Sequence, residues 1–386
     1  MLLGIDASNI REGGGVTHLI ELLRAVNPLK YGFDRVIVWG GLATLSKIEE
    51  RPWLTKVHDP LLERLPSRIF WQRFRLKDLA VQAGCDLLFV PGGSDASNFQ
   101  PMVTMSQNLL PFEWQELRRY GWSLMTPKLV LLRMTQSRTF LKAAGVIFLT
   151  KYAQDRVLSI VGDLPGEAIV VPHGIDTRFF MPPRLQRLFD QFNHQQPCRV
   201  MYVSIIDVYK HQWHVARAVA KLRAEGIPIV LDLIGPPGSA IAQLEDTLRE
   251  IDPDGAFIHY HGAVPYQKLH ESYISADIGI FASSCETFGQ ILTEAMGAGL
   301  PIACSKLSAM PELLGESGVY FDPEQPDEIA DAIRQLFQSA DLRAKLAQSA
   351  YQKAQLYSWD RCASETFEFL AQIAKANCLL KDTSTS

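Results

Sequence analysis

Ala276-Asp277-Ile278-Gly279-Ile280-Phe281-Ala282-Ser283-Ser284-Cys285-Glu286-Thr287-Phe288-Gly289-Gln290-Ile291-Leu292-Thr293-Glu294-Ala295 decides how this chain folds. The first seven residues form a short apolar run, suited to the buried interior of a sheet. The residues that follow turn from strand to helix, with Glu286 and Glu294 flanking the junction. In open parallel sheets small molecules bind beyond the carboxyl ends of the strands, where helix N-termini point free N–H groups. Read as helix from Glu286 onward, eight steps of about 1.5 Å set the two carboxylates roughly 12 Å apart, within a quarter turn of one face. One ligand then touches both. A nucleotide sugar suits this: a carboxylate at each end grips hydroxyls, and the pyrophosphate lies on the backbone amides of Thr287, Phe288 and Gly289. Glycine at 289 lets the ligand approach closely. Acidic residues in early helical turns also serve merely to complement the macrodipole, so the stretch alone leaves both readings open.

At 386 residues the chain exceeds one ordinary core, and two domains are expected. Apolar residues at 47% and charged residues at 21% describe a globular enzyme. No stretch approaches the roughly 20 apolar residues of a membrane span, and Met1-Leu2-Leu3-Gly4-Ile5-Asp6 lacks a basic region or cleavage site. A cytoplasmic protein is expected. Cys85, Cys198, Cys285, Cys304, Cys362 and Cys378 form no Cys-x-x-Cys pair and have no His cluster at metal spacing. They read as reduced and mostly buried, and no metal is expected. Residues 1–185 hold 22 basic and 17 acidic side chains, the remainder 16 and 25, so the halves carry +5 and -9. Such asymmetry marks a partner-facing half or arises by chance. No nucleic-acid partner is expected.

Short apolar runs at 2–7, 35–39, 86–90, 101–106, 145–150 and 168–171 alternate with helical patterns. The alternation restarts at 198–203, 229–234, 257–260, 277–282, 301–304 and 318–321. Strands alternating with helices predict parallel sheets covered on both faces. The fold class is therefore α/β, two Rossmann-like doubly wound domains facing a central cleft. We divide the chain into an acceptor domain at 1–182, a donor domain at 183–356, a C-terminal helix at 357–380 packing back on the first domain, and a disordered tail at 381–386. The polar stretch 182–197 reads as the linker.

Four other features bear on chemistry. Gly13-Gly14-Gly15 leads from the first strand into an apolar helix, fitting phosphate through exposed amides or serving as a flexible turn. It is not Gly-x-Gly-x-x-Gly. Lys210, after the strand ending at Ser204, sets a compact cation near a helix start where a diphosphate fits, or is a solvated lysine. His173 reads as structural, and Asp252-Pro253-Asp254 as a turn rather than a metal pair. Arg68-Ile69-Phe70-Trp71-Gln72-Arg73-Phe74-Arg75 and residues 127–142 mix cations with large apolar groups. They suit an anionic bilayer surface or lipid-phosphate acceptor, or are core helices with solvated basic faces.

Together these residues resemble the retaining glycosyltransferases of GT-B architecture, typified by bacterial mannosyl-, glucosyl- and N-acetylglucosaminyltransferases. The resemblance covers Gly13 to Gly15, Asn108-Leu109-Leu110-Pro111-Phe112, Thr150-Lys151-Tyr152, Val171-Pro172-His173-Gly174-Ile175-Asp176, Lys210, Leu233-Ile234-Gly235, and the run from Glu286 to Ile302. It implies that Glu286 contacts donor-sugar hydroxyls, Glu294 the ribose, Phe288 and Gly289 the diphosphate, and Lys210 its charge, with Gly14 and Gly15 closing from the other domain. The donor is a nucleotide diphosphate sugar, used with retention and without metal or other cofactor. Leaving-group charge is then met by Lys210, helix N-termini and exclusion of water. Base recognition falls to the loops at Gly235-Pro236-Pro237 and Val264-Pro265-Tyr266. Two departures stand out. Ile205 occupies the position where the family carries an arginine, and Gln107-Asn108 replaces a histidine on the acceptor side. Asn108 can hydrogen-bond a hydroxyl but cannot act as a base.

The expected function is transfer of a sugar to a saccharide or lipid-linked acceptor in cell-surface polysaccharide synthesis, at the inner face of the membrane. Ile205 and Asn108 motivate an alternative, a catalytically silent partner of a glycosyltransferase complex. Sugar-nucleotide epimerisation is a second alternative, but no persuasive general base is present for it.

Overall fold

Every strand pairing in the computed structural model is parallel, in one sheet of seven strands and another of six. The structure describes the backbone of residues 1–384 and the side chains of 1–378. The first sheet contains β1 (Leu2–Ala7), β2 (Arg35–Gly40), β3 (Leu54–Val57), β4 (Leu87–Val90), β5 (Met102–Met105), β6 (Gly145–Phe148) and β7 (Glu167–Val170). Their order is β3-β2-β1-β4-β5-β6-β7. The second contains β8 (Cys198–Val203), β9 (Ile229–Ile234), β10 (Ile258–Tyr260), β11 (Ile278–Phe281), β12 (Ile302–Ser305) and β13 (Gly318–Phe321), ordered β10-β9-β8-β11-β12-β13. In both sheets the order reverses beside the first strand. That reversal opens a crevice at the carboxyl ends of β1 and β4 in one sheet, and of β8 and β11 in the other.

Burial explains which runs became strands. All four residues of β11 are buried, and each of Ile278, Ile280 and Phe281 contributes about 1.5–3 kcal/mol by leaving water. Packing here is close: a Cβ on Gly279 would lie 2.8 Å from Ile302 Cδ1. β3 was not expected from the sequence. It is an edge strand, mostly half-exposed, whose Leu-Thr-Lys-Val carries no continuous apolar run.

The chain forms two compact units, residues Met1–Leu117, Trp122–Gly174 and Ser358–Ser386 against Arg118–Gly121 and Ile175–Tyr357. The divisions fall at 174/175 and 357/358, where 182/183 and 356/357 were expected. The reason for the first is local. Phe179 packs against Tyr266, His270 and Tyr273, and Met181 N–H donates to Gly297 O at 2.9 Å. Nor is 182–197 a free linker: Arg187 pairs with Asp277 at 2.7 Å, and fully buried Arg343 donates to Gln186 Oε1 at 3.2 Å and to Arg187 O.

Within the first unit the C-terminal helix Trp359–Ser384 is anchored by Tyr31 to Ser364 at 2.9 Å and by Phe33 against Phe367. Its backbone is helical through 384, where a disordered tail from 381 was expected; 385–386 lie outside the described residues. His18, completely buried with neither ring nitrogen hydrogen-bonded, stacks on His173 at 4.6 Å beside Trp359. Burial, then His173, holds His18 well below its ordinary pKa. This is a packing cluster, the structural role read for His173.

Candidate active site

In the second unit the loops after β8 and β11 are stitched together at the strand-order reversal. Ser284 N–H donates to Tyr209 O at 2.9 Å, and His211 Nε2 and Ser284 Oγ share a hydrogen bond of 3.0 Å. His211 takes a left-handed φ of 52° to start the helix Gln212–Ala224. Tyr202 at the end of β8 donates to Lys210 O at 2.8 Å. These contacts fix Lys210, whose Nζ donates to Glu286 Oε1 in an ion pair of largely buried side chains. Lys210 also lies 4.8 Å from the Tyr209 ring centroid and 5.3 Å from that of Phe281.

Glu286 is held from the other side, because its N–H donates to Ser308 Oγ at 2.9 Å while its carbonyl accepts from that hydroxyl at 3.0 Å. It does not lie on a helix. The helix begins only at Gln290, behind Gly289 at φ 87°, so the expected eight helical steps between the carboxylates do not exist. The intervening Thr287 and Phe288 are buried loop residues, Phe288 meeting Tyr357 edge-on at 5.6 Å. Gly289 is required by its left-handed backbone; a Cβ there would lie 2.8 Å from Met310 Cε, the far end of a flexible side chain.

Glu294, on the helix Gln290–Gly297, is wholly buried. Tyr266 Oη–H donates to its Oε1 at 2.9 Å. Burial raises its carboxyl to about 8, against opposing hydrogen bonds from Tyr266 and Gln290. Tyr266 is itself overlaid by the Arg178 guanidinium, 4.5 Å from the ring centroid. Neither residue's part at Glu294 was read from the sequence, since nothing in spacing links positions 178, 266 and 294. Nearby, Gly235 N–H donates to Gly262 O at 2.8 Å and Tyr260 Oη–H to Gly235 O at 3.0 Å, tying Gly235 to the end of β10 and the residue two positions beyond it. Ile205 is partly exposed, and its carbonyl accepts from Gln212 Nε2 at 2.7 Å.

The first unit presents a separate group at the reversal beside β1. Gly14 opens the helix Gly14–Ala25 behind Gly13, and nothing lies within 4 Å of where its Cβ would be. A Cβ on Gly15 would meet Gln107 Oε1 at 3.2 Å. Asp6, missed by the sequence reading although a carboxylate ends an apolar strand, is buried and raised to about 6 by that burial. Gln72 Nε2 donates to it at 2.5 Å and to Ser8 Oγ at 3.0 Å. Asn108 Oδ1 accepts from Leu110 N–H at 3.1 Å and so shapes the turn that follows.

Two histidines also escaped the sequence reading. His259 and His261 face Asp232 across β9 and β10, with one possible ligand atom from each of the three lying within 4.8 Å of the others. Asp252, by contrast, accepts from Ala256, Phe257 and Ile258 N–H at 2.8–3.0 Å, the turn expected of it.

Two parallel α/β domains with this strand order define the GT-B fold class. Residues 186–353 match the family model described as glycosyl transferases group 1. The chain is 33% identical over 110 residues to O-antigen chain mannosyltransferase B of Escherichia coli, covering 28% of this chain and 29% of that one. It thus spans about a third of the length of this relative. Among solved structures, sucrose-phosphate synthase from Thermosynechococcus elongatus superposes with TM-score 0.77 at 17% identity, over 97% of this chain and 100% of that one. Anabaena HepE in complex with UDP-glucose does so with TM-score 0.68 at 17% identity, over 98% and 99%.

Proposed function

We propose that the chain is a glycosyltransferase that moves a sugar from a nucleotide diphosphate sugar to a saccharide or lipid-linked acceptor, with retention and without a catalytic metal. The Lys210 to Glu286 pair carries this reading. A cation and a carboxylate on adjoining loops at the strand-order reversal are what a diphosphate beside a sugar requires. In this reading Lys210 turns from Glu286 to the leaving diphosphate, joined by amides near Gly289 at the helix start. Glu286, released, accepts from sugar hydroxyls. Glu294 takes the ribose. The relatives' names support transfer chemistry, and the UDP-glucose held by HepE supports the donor class.

The acceptor is proposed to lie at an anionic membrane surface, in cell-surface polysaccharide synthesis. No described helix is long and apolar enough to cross a membrane. Leu124, Lys128, Leu131, Met134, Arg138 and Leu141 are nonetheless all exposed along or just before the helix Met125–Lys142. At about 100° per residue they fall on one stripe, apolar groups interleaved with cations.

The test is incubation with single nucleotide sugars and a candidate acceptor series in EDTA, with the anomeric configuration of product read by NMR. A retained-configuration glycoside supports the proposal. An epimerised donor supports sugar-nucleotide epimerisation, and absence of turnover with every pair supports the silent-partner reading that Ile205 motivates.

A further inference from the structure

We propose that Asp232, His259 and His261 form a binding site for a transition-metal dication, Zn2+ fitting best. Asp232 and His259 are register partners on the parallel strands β9 and β10. Side chains at one register position share a face, and His261, two residues on, returns to that face. The topology therefore gathers two imidazoles around one carboxylate.

The geometry is close to a coordination set. One ligand atom from each residue lies within 4.8 Å of the other two. Asp232 Oδ1 is 2.7 Å from His261 Nε2 and 3.5 Å from His259 Nδ1. Ligands about 2.1 Å from a tetrahedral zinc lie about 3.4 Å from one another. One pair is already at that spacing, and modest rotation of half-exposed His261 opens the other. The carboxylate is 2% exposed, while the histidine side chains are 38% and 45% exposed, so the site has a fixed floor and an open mouth. Arg199 Nη2 donates to Asp232 Oδ2 at 2.7 Å, leaving Oδ1 to face the imidazoles. This is the outer-shell support that orients a monodentate carboxylate.

Three protein ligands leave a fourth position for water. Neutral imidazoles select Zn2+, Co2+ or Ni2+ over Mg2+, which takes oxygen ligands. The ion would clamp the edge strand β10 to β9, one residue before Gly262, whose carbonyl holds Gly235. It is independent of the donor reading, which invokes no metal.

The test uses the full chain stripped of metal with EDTA and dialysed. Zn2+ affinity is measured by competition with a chromophoric chelator, and Co2+ is added separately to read its visible spectrum. Wild type is expected to bind one Zn2+ per chain with micromolar or tighter affinity, unaffected by millimolar Mg2+, and to give the intense d–d bands of four-coordinate Co2+. His259→Gln and His261→Gln alter half-exposed side chains, and each is expected to weaken Zn2+ at least tenfold and abolish the Co2+ bands. Weaker than millimolar binding by wild type, or a loss below tenfold in both variants, overturns the proposal.

Discussion

Lys210 Nζ donates to Glu286 Oε1, joining the loop after β8 to the loop after β11 where the strand order of the second sheet reverses. Each residue satisfies the other in the free protein, and in the proposed complex each turns to a different part of the donor.

Separating the pair costs less than leaving one charge alone in a largely buried place. Lys210→Ala and Glu286→Gln are each expected to lower kcat/KM by about 10²–10³-fold, the range for losing one electrostatic contact to a transition state. In a double-mutant cycle the two losses should not add, because both changes break the same interaction. Additive losses in kcat/KM would mean that the two act independently.

Glu294 sets a pH dependence of stability. Its folded carboxyl is raised from 4.5 to about 8, chiefly by burial. The stability it contributes is full below about pH 4.5 and is lost as pH rises to about 8, where the unfolded chain ionises and the folded chain does not. Every tenfold difference in proton affinity between the folded and unfolded chain is worth ~1.4 kcal/mol. Glu294→Gln should therefore melt like wild type near pH 4.5 and gain a few kcal/mol relative to it by pH 8.5. Tyr266→Phe removes a hydrogen bond that lowers this pKa, so its stability should keep falling with pH beyond the point where wild type levels off. Thermal melts across pH 4.5–9.5 check both.

Gly289→Ala should lower stability by about 1–2 kcal/mol, the cost of a Cβ in the left-handed region. Met310 Cε, 2.8 Å from the new atom, can swing aside, so backbone strain governs the effect. Its thermal melt should fall below that of wild type, with weaker nucleotide affinity. An unchanged melt would mean that the loop relaxes freely.

The exposed stripe on Met125–Lys142 should partition onto vesicles containing anionic phospholipid and not onto neutral ones. A Leu131→Glu, Met134→Glu double variant should lose at least tenfold in sedimentation with those vesicles, and added salt should weaken the wild type. Equal partitioning of the two proteins would remove this stripe from the membrane reading.

How much of this was legible in the sequence depends on distance along the chain. Twelve of thirteen strands were readable as short apolar runs between helical patterns; the Leu-Thr-Lys-Val of edge strand β3 carries no continuous apolar run. Lys210 and Glu286 were each legible from a loop beside a strand end, but their pairing across 76 positions was not. Gly289 was read as a close approach, yet its left-handed φ delays the helix and removes the assumed helical spacing of Glu286 and Glu294. Tyr266 on Glu294, Gln72 on Asp6, and His259 and His261 on Asp232 all meet through tertiary packing or strand register. Periodicity does not carry that information. The stretch 182–197 looked like a linker from its polar composition, but Arg187 and Arg343 bind it to the second unit.

The most direct measurement is a thermal-shift panel of UDP, GDP, ADP and dTDP, with and without Mg2+, on wild type and Lys210→Ala. A ligand that binds only the folded state raises its melting temperature by mass action. The expected result is stabilisation of wild type by one nucleoside diphosphate, undiminished without Mg2+ and largely lost in Lys210→Ala. No shift with any nucleotide, or an equal shift in the variant, would contradict a diphosphate site at Lys210.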